Sequence, residues 1–346
     1  MEKTMSKTNM KNNTETGKVR KSILLIVASV LLLMVVVSFL VCRYTLMKET
    51  HVCYMGIMHM SAEKISKTVG GMEMNAMNVF DEVGKHMDSP ESVIAALKSK
   101  TSLNLDVKGY FAAFVPNYFP QKGQWFEPYV HQADSRGGFT VRDVGSASHD
   151  YTKSDWYIRA LDAKDCFWSD PYFYYDGTGI SGRYCTFVKP VFDASGRLAC
   201  VCGADMTFEW LTNELKRMDD ATRRSDMLTK FRMFAGLDFY TVLLDKDGNC
   251  VAYPQGRSVP LKDEKVLRNL AEKKSGSVDV TVNGVSSTAY YAPLEHIGWS
   301  VAVIVPDHVI WKPLLIVGAI LMTVAVLGLL VVWLALRRGV NQRKEA

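Results

Sequence analysis

Residues 183–205 read RYCTFVKPVFDASGRLACVCGAD. Two runs rich in β-branched, aromatic and small apolar residues, 183–192 and 197–205, flank Asp193-Ala194-Ser195-Gly196. An Asp can hydrogen-bond the backbone two residues on, and glycine takes the left-handed conformation without strain, so the stretch predicts a β-hairpin. The device recurs downstream, where 239–244 meets 250–253 across Asp245-Lys246-Asp247-Gly248-Asn249. Residues 261–273 then follow a helical period, and strands 277–282 and 285–291 flank Asn283-Gly284, the strongest short hairpin signal. A last strand covers 299–305. Two successive units thus share one plan, strands joined by Asp-x-x-Gly turns with a helix on one face.

Upstream, residues 107–115 (VKGYFAAFV) predict a strand stopped by Pro116, and 125–130 (WFEPYV) another. Residues 154–161 predict a short helix, and Thr207 opens a longer one running to about 220. Residues 44–87 contain no proline and carry Met, Ile and Val at helical spacing, which predicts a long stalk helix offering a dimerisation face. Gly56, Gly70, Gly71 and Gly84 weaken it locally. Ser89 and Pro90 have the chemistry of an N-cap and a first helical residue.

Beyond these units, residues 23–42 (ILLIVASVLLLMVVVSFLVC) and 313–336 (PLLIVGAILMTVAVLGLLVVWLAL) carry no charge. About 20 apolar residues at ~1.5 Å each span a hydrocarbon core of ~30 Å. The first run is longer than the ~7–15 residues of a signal-peptide core, and Val41 stands where a lipoprotein site ahead of Cys42 needs a small residue. Both are therefore expected to be retained spans. Residues 1–22 carry a net +4 and 337–346 a net +3, leaving −2 for the remainder of a chain whose total is +5. The basic surplus is terminal, so no nucleic-acid groove is expected, and positive-inside logic puts both termini in the cytoplasm with 43–312 outside. Trp311 and Trp333 sit at interface positions.

The composition, 48% hydrophobic and 11% aromatic over 346 residues, excludes disorder, collagen and a miniature disulfide scaffold. Six cysteines fall in the outer segment without metal-like spacing. Cys200 and Cys202 alternate within a predicted strand and read as small buried hydrophobes. Gly-x-Ser-x-Gly, P-loop, His-Glu-x-x-His and Gly-x-Gly-x-x-Gly are all absent. His131 and the His149-Asp150 pair read as surface or rim residues, and His51 and His59 as a stripe on the stalk. No catalytic residue, metal or cofactor is expected.

The chain resembles the double Cache sensor family of bacterial transmembrane receptors. The strings that carry the resemblance are Asp155-Trp156-Tyr157, Trp168-Ser169-Asp170-Pro171-Tyr172, residues 186–196 (TFVKPVFDASG), Gly203-Ala204-Asp205 and Ile297-Gly298-Trp299-Ser300-Val301, in order between two spans. The resemblance implies an α/β (α+β) fold of two PAS-like subdomains behind a stalk helix. Its expected organisation is a cytoplasmic tail (1–22), first span (23–42), stalk (43–87), membrane-distal ligand-binding subdomain (88–220), membrane-proximal subdomain (221–312), second span (313–336) and tail (337–346). It implies a small ligand held in the distal unit, a homodimer through stalk and spans, and a place in the bacterial plasma membrane.

The amino-acid-binding branch of that family shows Arg-x-Trp-Tyr/Phe followed by a later Tyr and Asp. Trp156, Tyr157 and Asp205 match, and Tyr174 stands for the later Tyr; Asp155, Tyr151 and Trp125 complete the expected ligand-binding set. The arginine position holds Ser154, which cannot grip a carboxylate bidentately. The expected ligand is therefore an amine or other neutral-to-cationic metabolite, with Lys153 or Arg183 the residues able to rescue an anion. A ten-residue tail is too short for a kinase, phosphatase or methyl-accepting module, so output is expected beyond Ala346 or on a partner protein. The alternative is an extracytoplasmic binding or scaffold protein without signalling output.

Overall fold

A computed structural model describes residues 2–99, 104, 106–132, 138–175, 181–225, 238–253 and 258–345. The chain divides into two compact units. One comprises Met1–Tyr54, Met227–Asp238 and Asp307–Ala346, and the other Met55–Asp226 with Phe239–Pro306.

The first unit is built from helix α1 (Glu2–Lys85, whose later residues belong to the second unit) and the C-terminal helix, His308–Glu345. Both are long and apolar enough to cross a membrane. Leu25, Leu33, Leu315 and Val331 are each at least 64% exposed, which in water would be a large unfavourable apolar surface. The helices approach closely where side chains are small: a Cβ on Gly318 would lie 3.4 Å from Phe39 and one on Gly328 3.7 Å from Leu31. Arg43 lies over the Trp311 ring at 5.8 Å.

In the second unit α1 buries Met58, Ala62, Ile65, Val69, Met72, Ala76, Val79 and Val83, spaced three or four apart along one face. Gly70 lies beside His296, where a Cβ would stand 3.6 Å from the ring, an ordinary contact. Ser89 caps α2 (Pro90–Ser99) by accepting from the Ser92 N–H at 3.1 Å. The first antiparallel sheet contains β1 (Gly109–Phe114), β2 (Pro128–Gln132), β3 (Phe139–Asp143), β4 (Phe167–Trp168), β5 (Tyr172–Tyr175), β6 (Ser181–Phe192) and β7 (Leu198–Thr207). Its order is β3-β2-β1-β7-β6-β4, with β5 also pairing with β6. α3 (Asp155–Asp162) packs on β6 and β7. α4 (Phe208–Arg224) follows β7, capped by Thr207, which accepts from Trp210 N–H at 3.2 Å.

The second sheet runs β10-β11-β12-β8-β9, from β8 (Tyr240–Leu244), β9 (Cys250–Ala252), β10 (Gly276–Val282), β11 (Val285–Pro293) and β12 (Ser300–Pro306). Helix α5 (Glu264–Ala271) adds Val266 and Leu270 to a core of Tyr240, Val242, Leu244, Ala289, Tyr291, Ala302 and Ile304.

The three expected hairpins form, the two Asp-x-x-Gly turns with matched geometry. Asp193 Oδ1 accepts from the Ser195 and Arg197 N–H groups at 2.8 and 3.0 Å, with Gly196 at φ 77°. Asp245 Oδ1 accepts from Asp247 and Asn249 N–H at 2.9 and 2.8 Å, with Gly248 at φ 75°. Asn283 and Gly284 take φ 49° and 80°, as a two-residue hairpin demands. All seven cysteines are unpaired, and Cys200 and Cys202 are fully buried, where burial pushes the Cys200 thiol well up.

Three expectations need correcting. The strand expected at 125–130 begins only at Pro128, because the Glu127 N–H is taken by the Asp143 side chain at 3.0 Å and its carbonyl by Val144 N–H. The helix expected at 261–273 is Glu264–Ala271, started by Asp263, which caps the Lys265 and Val266 N–H groups. His131 is not a surface residue: it lies on β2, 7% exposed, stacked on Tyr129 at 5.2 Å.

Candidate functional site: an aromatic cavity with two carboxylates

On β7, Val201, Gly203 and Asp205 share one face by strand alternation, and β1 pairs Phe111 with Gly203 and Gly109 with Asp205. The glycines are required there. A Cβ on Gly203 would collide with the Phe111 ring, and one on Gly109 with the Tyr129 ring. Phe111 in turn meets Trp156 of α3 at 4.9 Å, tilted by 54°. Small residues on the sheet thus let large rings lie across it and wall a cavity of about 210 Å³.

Gly203→Ala is expected to destabilise the protein by about 1–3 kcal/mol, the usual cost of overpacking, by driving Phe111 off the sheet. Denaturant unfolding of the variant measures this; an unchanged midpoint would mean that Phe111 has room to yield.

The described lining of the cavity includes Asp205, Glu127, His149, Tyr172, Tyr174 and Ser154 besides the rings just named. Asp205 is 7% exposed and Glu127 3%. Asp205 Oδ1 accepts from Thr186 Oγ1 at 2.6 Å, and Thr186 Oγ1 lies 2.7 Å from the Tyr172 hydroxyl. Burial pushes the Asp205 carboxyl up to about 7, against the opposing pull of the hydroxyls of Thr186, Tyr129 and Tyr172. Burial likewise raises Glu127, with His149 acting the other way. His149 Nε2 lies 3.3 Å from Glu127 Oε2, and its ring sits edge-on to Tyr174 at 4.9 Å. Among the described residues lining this cavity there is no Lys or Arg.

A second hollow of about 330 Å³ shares Ser154, Trp156, Tyr172 and Phe173 with the first and adds Lys153, Asp155, Arg159 and Asp170. Ser154 takes the N-cap position of α3, but its side chain makes no capping bond.

The residues expected at the site are distributed as follows. Trp156, Asp205 and Tyr174 line the main cavity, and Asp155 the second hollow. Tyr157, Tyr151 and Trp125 belong to the packed layer behind and beside the wall. The Tyr151 hydroxyl donates to the Phe114 carbonyl at 2.7 Å and accepts from Phe126 N–H at 3.1 Å, which ties two backbone segments together. Sequence reasoning did not single out Glu127, Phe111 or Tyr129 as site residues. The only signal was that Glu127 stands as a lone charge in an aromatic stretch.

A polar path leaves the site. Ser169 Oγ accepts from the Thr186 N–H at 3.0 Å; its neighbour Trp168 donates Nε1–H to Glu73 Oε1 of α1 at 2.7 Å, and Glu73 Oε2 lies 2.9 Å from His296 Nδ1 in the other sheet's unit. Phe208 of α4 also meets Trp299 at 5.8 Å.

Residues 93–213 match the family model of the methyl-accepting chemotaxis protein-like first PDC sensor domain. No curated protein matches the chain. Among solved structures, the periplasmic sensory domain of the Campylobacter jejuni chemoreceptor Tlp1 is similar at 16% identity and TM-score 0.60, over 78% of this chain and 99% of that one. The ligand-binding domain of the Pseudomonas fluorescens chemoreceptor CtaA, in complex with L-isoleucine, is similar at 17% identity and TM-score 0.52, over 78% and 97%. Methyl-accepting chemotaxis protein X gives 18% identity and TM-score 0.56 over 75% and 99%. The family match thus places a PDC-class sensor domain at residues 93–213, on the first of two sheet units that follow a long helix, an arrangement similar to the double Cache sensor domains.

Proposed function

We propose that the chain is a membrane-anchored sensor that binds a small cationic metabolite outside the cytoplasm, in the cavity of its first sheet unit, and passes the event through α1 and the second sheet unit to an output module. The observation that carries the ligand class is the wall itself: two buried carboxylates, aromatic faces and no lysine or arginine among its described residues. Aromatic faces attract cations, and a buried carboxylate favours an ammonium partner. The CtaA domain holds L-isoleucine; here Ser154 stands where the amino-acid branch has arginine, so an α-carboxylate lacks its bidentate partner. Transmission is supported by the Trp168–Glu73–His296 contacts, which place one stalk carboxylate between the two sheet units. Tyr157, Tyr151 and Trp125 act in this scheme as the packed support of the wall.

The orientation follows from the basic termini, with residues 43–312 outside and the chain pairing with a second copy through stalk and spans. Reporter fusions test it: one after Ala346 is expected to be active only in the cytoplasm and one inserted at Gly138 only outside. Activity of the Gly138 fusion inside the cell would end the sensor reading. Thermal melts of the protein against amino acids and their decarboxylated amines, side by side, test the ligand class; the amines are expected to give the larger stabilisation.

A further inference from the structure

The structure carries a sharper statement about the ligand, one that rests on the amine reading above. We propose that the cavity is built for a ligand with two cationic ends, a short diamine, with Asp205 receiving one ammonium group and Glu127 the other.

The two carboxylates are not equivalent to structural ones elsewhere in the fold. Asp219, buried on α4, accepts from both the N–H and the hydroxyl of Thr241, at 2.8 and 2.5 Å, and so serves the backbone. Glu127 does no such service. Its backbone is pinned by Asp143 and Val144, while its side chain stands in the cavity wall. Among the described residues its ion-pair contact is His149, at 3.3 Å. Asp205 accepts a hydroxyl, not a backbone amide, in its 2.6 Å bond from Thr186.

A buried carboxylate is expensive to keep ionised without a cation. One ammonium group answers that cost for one carboxylate. With a monoamine on Asp205, Glu127 keeps only the imidazole of His149, at 3.3 Å, as its ion-pair contact among the described residues. A second ammonium answers it directly, and the rings of Phe111, Tyr129, Trp156 and Tyr172 cover the methylene stem between the two ends. A cavity of about 210 Å³ suits a chain of that size. Lys153 and Arg159 are confined to the neighbouring hollow, so the end groups of a diamine meet no cation in the main cavity among its described residues.

Titration calorimetry of the full chain in detergent, with butane-1,4-diamine, n-butylamine and 4-aminobutanoate as probes, decides the matter. The diamine is expected to bind at least about 10-fold more tightly than butylamine, the scale of one well-placed buried charge pair. Glu127→Gln is expected to bring that ratio close to one, and His149→Gln, which removes the competing imidazole, to raise it. A folded Glu127→Gln protein that keeps the full preference overturns the proposal, as does equal binding of diamine and butylamine by the unaltered chain. Equal binding of 4-aminobutanoate and the diamine overturns it too, because the far end would then be held by the cations of the second hollow. Should none of the amines bind while a plain amino acid does, the amine reading falls and this inference falls with it.

Discussion

Asp205→Asn is expected to weaken binding of any cationic ligand on the order of 100-fold or more, and so to abolish the rise in melting temperature that an amine produces. Asparagine keeps an oxygen for the 2.6 Å bond from Thr186 Oγ1 and nearly the same volume, so the β6–β7 pairing survives. What goes is the negative charge opposite an ammonium group in a site walled by rings, and truncating one partner of a buried charge pair typically costs ~2–5 kcal/mol. The pH dependence separates this from a structural defect. In the folded, empty protein burial raises the Asp205 carboxyl to about 7, above its value in the unfolded chain. The folded state therefore holds a proton that the unfolded state has released. Its contribution to stability is present at acid pH and is lost as pH rises towards 7, by up to ~1.4 kcal/mol per unit. Asp205→Asn removes this slope, so the variant is expected to melt at or above the unaltered protein at pH 8. Amine binding runs the other way, needing the ionised carboxylate and tightening as pH rises through 7. Melting curves at pH 5.5 and 8, with and without amine, check both signs. A variant that is strongly destabilised without ligand at pH 8 would show that Asp205 holds the fold rather than a ligand.

Much of this architecture is legible in local sequence because local chemistry decides it. Asp193-x-x-Gly196 and Asp245-x-x-Gly248 specify their turns through one carboxylate and one left-handed glycine each, and no tertiary contact is needed to read them. The apolar runs at 23–42 and 313–336 are likewise self-declaring. The short strands β4 and β5 leave no such mark. They hold two and four residues on either side of Pro171, and exist because β6 offers them a free edge. The site is the hardest part to read, because its chemistry is assembled from three places. Glu127 precedes β2, His149 sits in the loop after β3, and Asp205 ends its run on β7; only the sheet order brings them together.

Trp156 and Tyr157 show the same limit at one-residue scale. They are neighbours on α3, about 100° apart around the helix, so one faces the cavity while the other packs behind it against Tyr151 at 5.4 Å. Sequence pattern supplies both aromatics and cannot say which is wall and which is support. The correction at His131 has a similar cause. Alternation along β2 turns that ring inward onto Tyr129, although a histidine at the polar end of the strand, next to Gln132, suggests a surface position.

Asp219→Ala should be among the most destabilising single substitutions in the second unit, costing on the order of 3 kcal/mol. Asp219 is 3% exposed and Thr241 fully buried, and the carboxylate satisfies both the Thr241 N–H and its hydroxyl. Alanine strands two buried donors at once, each worth ~1–3 kcal/mol when unsatisfied, and leaves space where the carboxylate stood. Burial raises the Asp219 carboxyl, opposed by the Thr241 bonds, so part of this loss is recovered by removing a desolvated charge. For a unit of this size the drop corresponds to roughly 6–12 °C in melting temperature. Thr241→Val removes the hydroxyl but keeps the N–H bond, and should cost distinctly less. The double variant should be milder than the sum, because both changes act on one interaction. Additive effects would instead mean that Asp219 stabilises α4 by some other route. Asp219 lies outside the cavity wall, so folded Asp219→Ala protein is expected to bind amine within about twofold of the unaltered chain. In the proposed sensor its functional cost would fall on coupling: α4 begins directly after the strand that carries Asp205, and its Asp219 is fastened to β8 of the second sheet, so loosening that bond would separate the strand proposed to bear the ligand from the sheet proposed to respond to it.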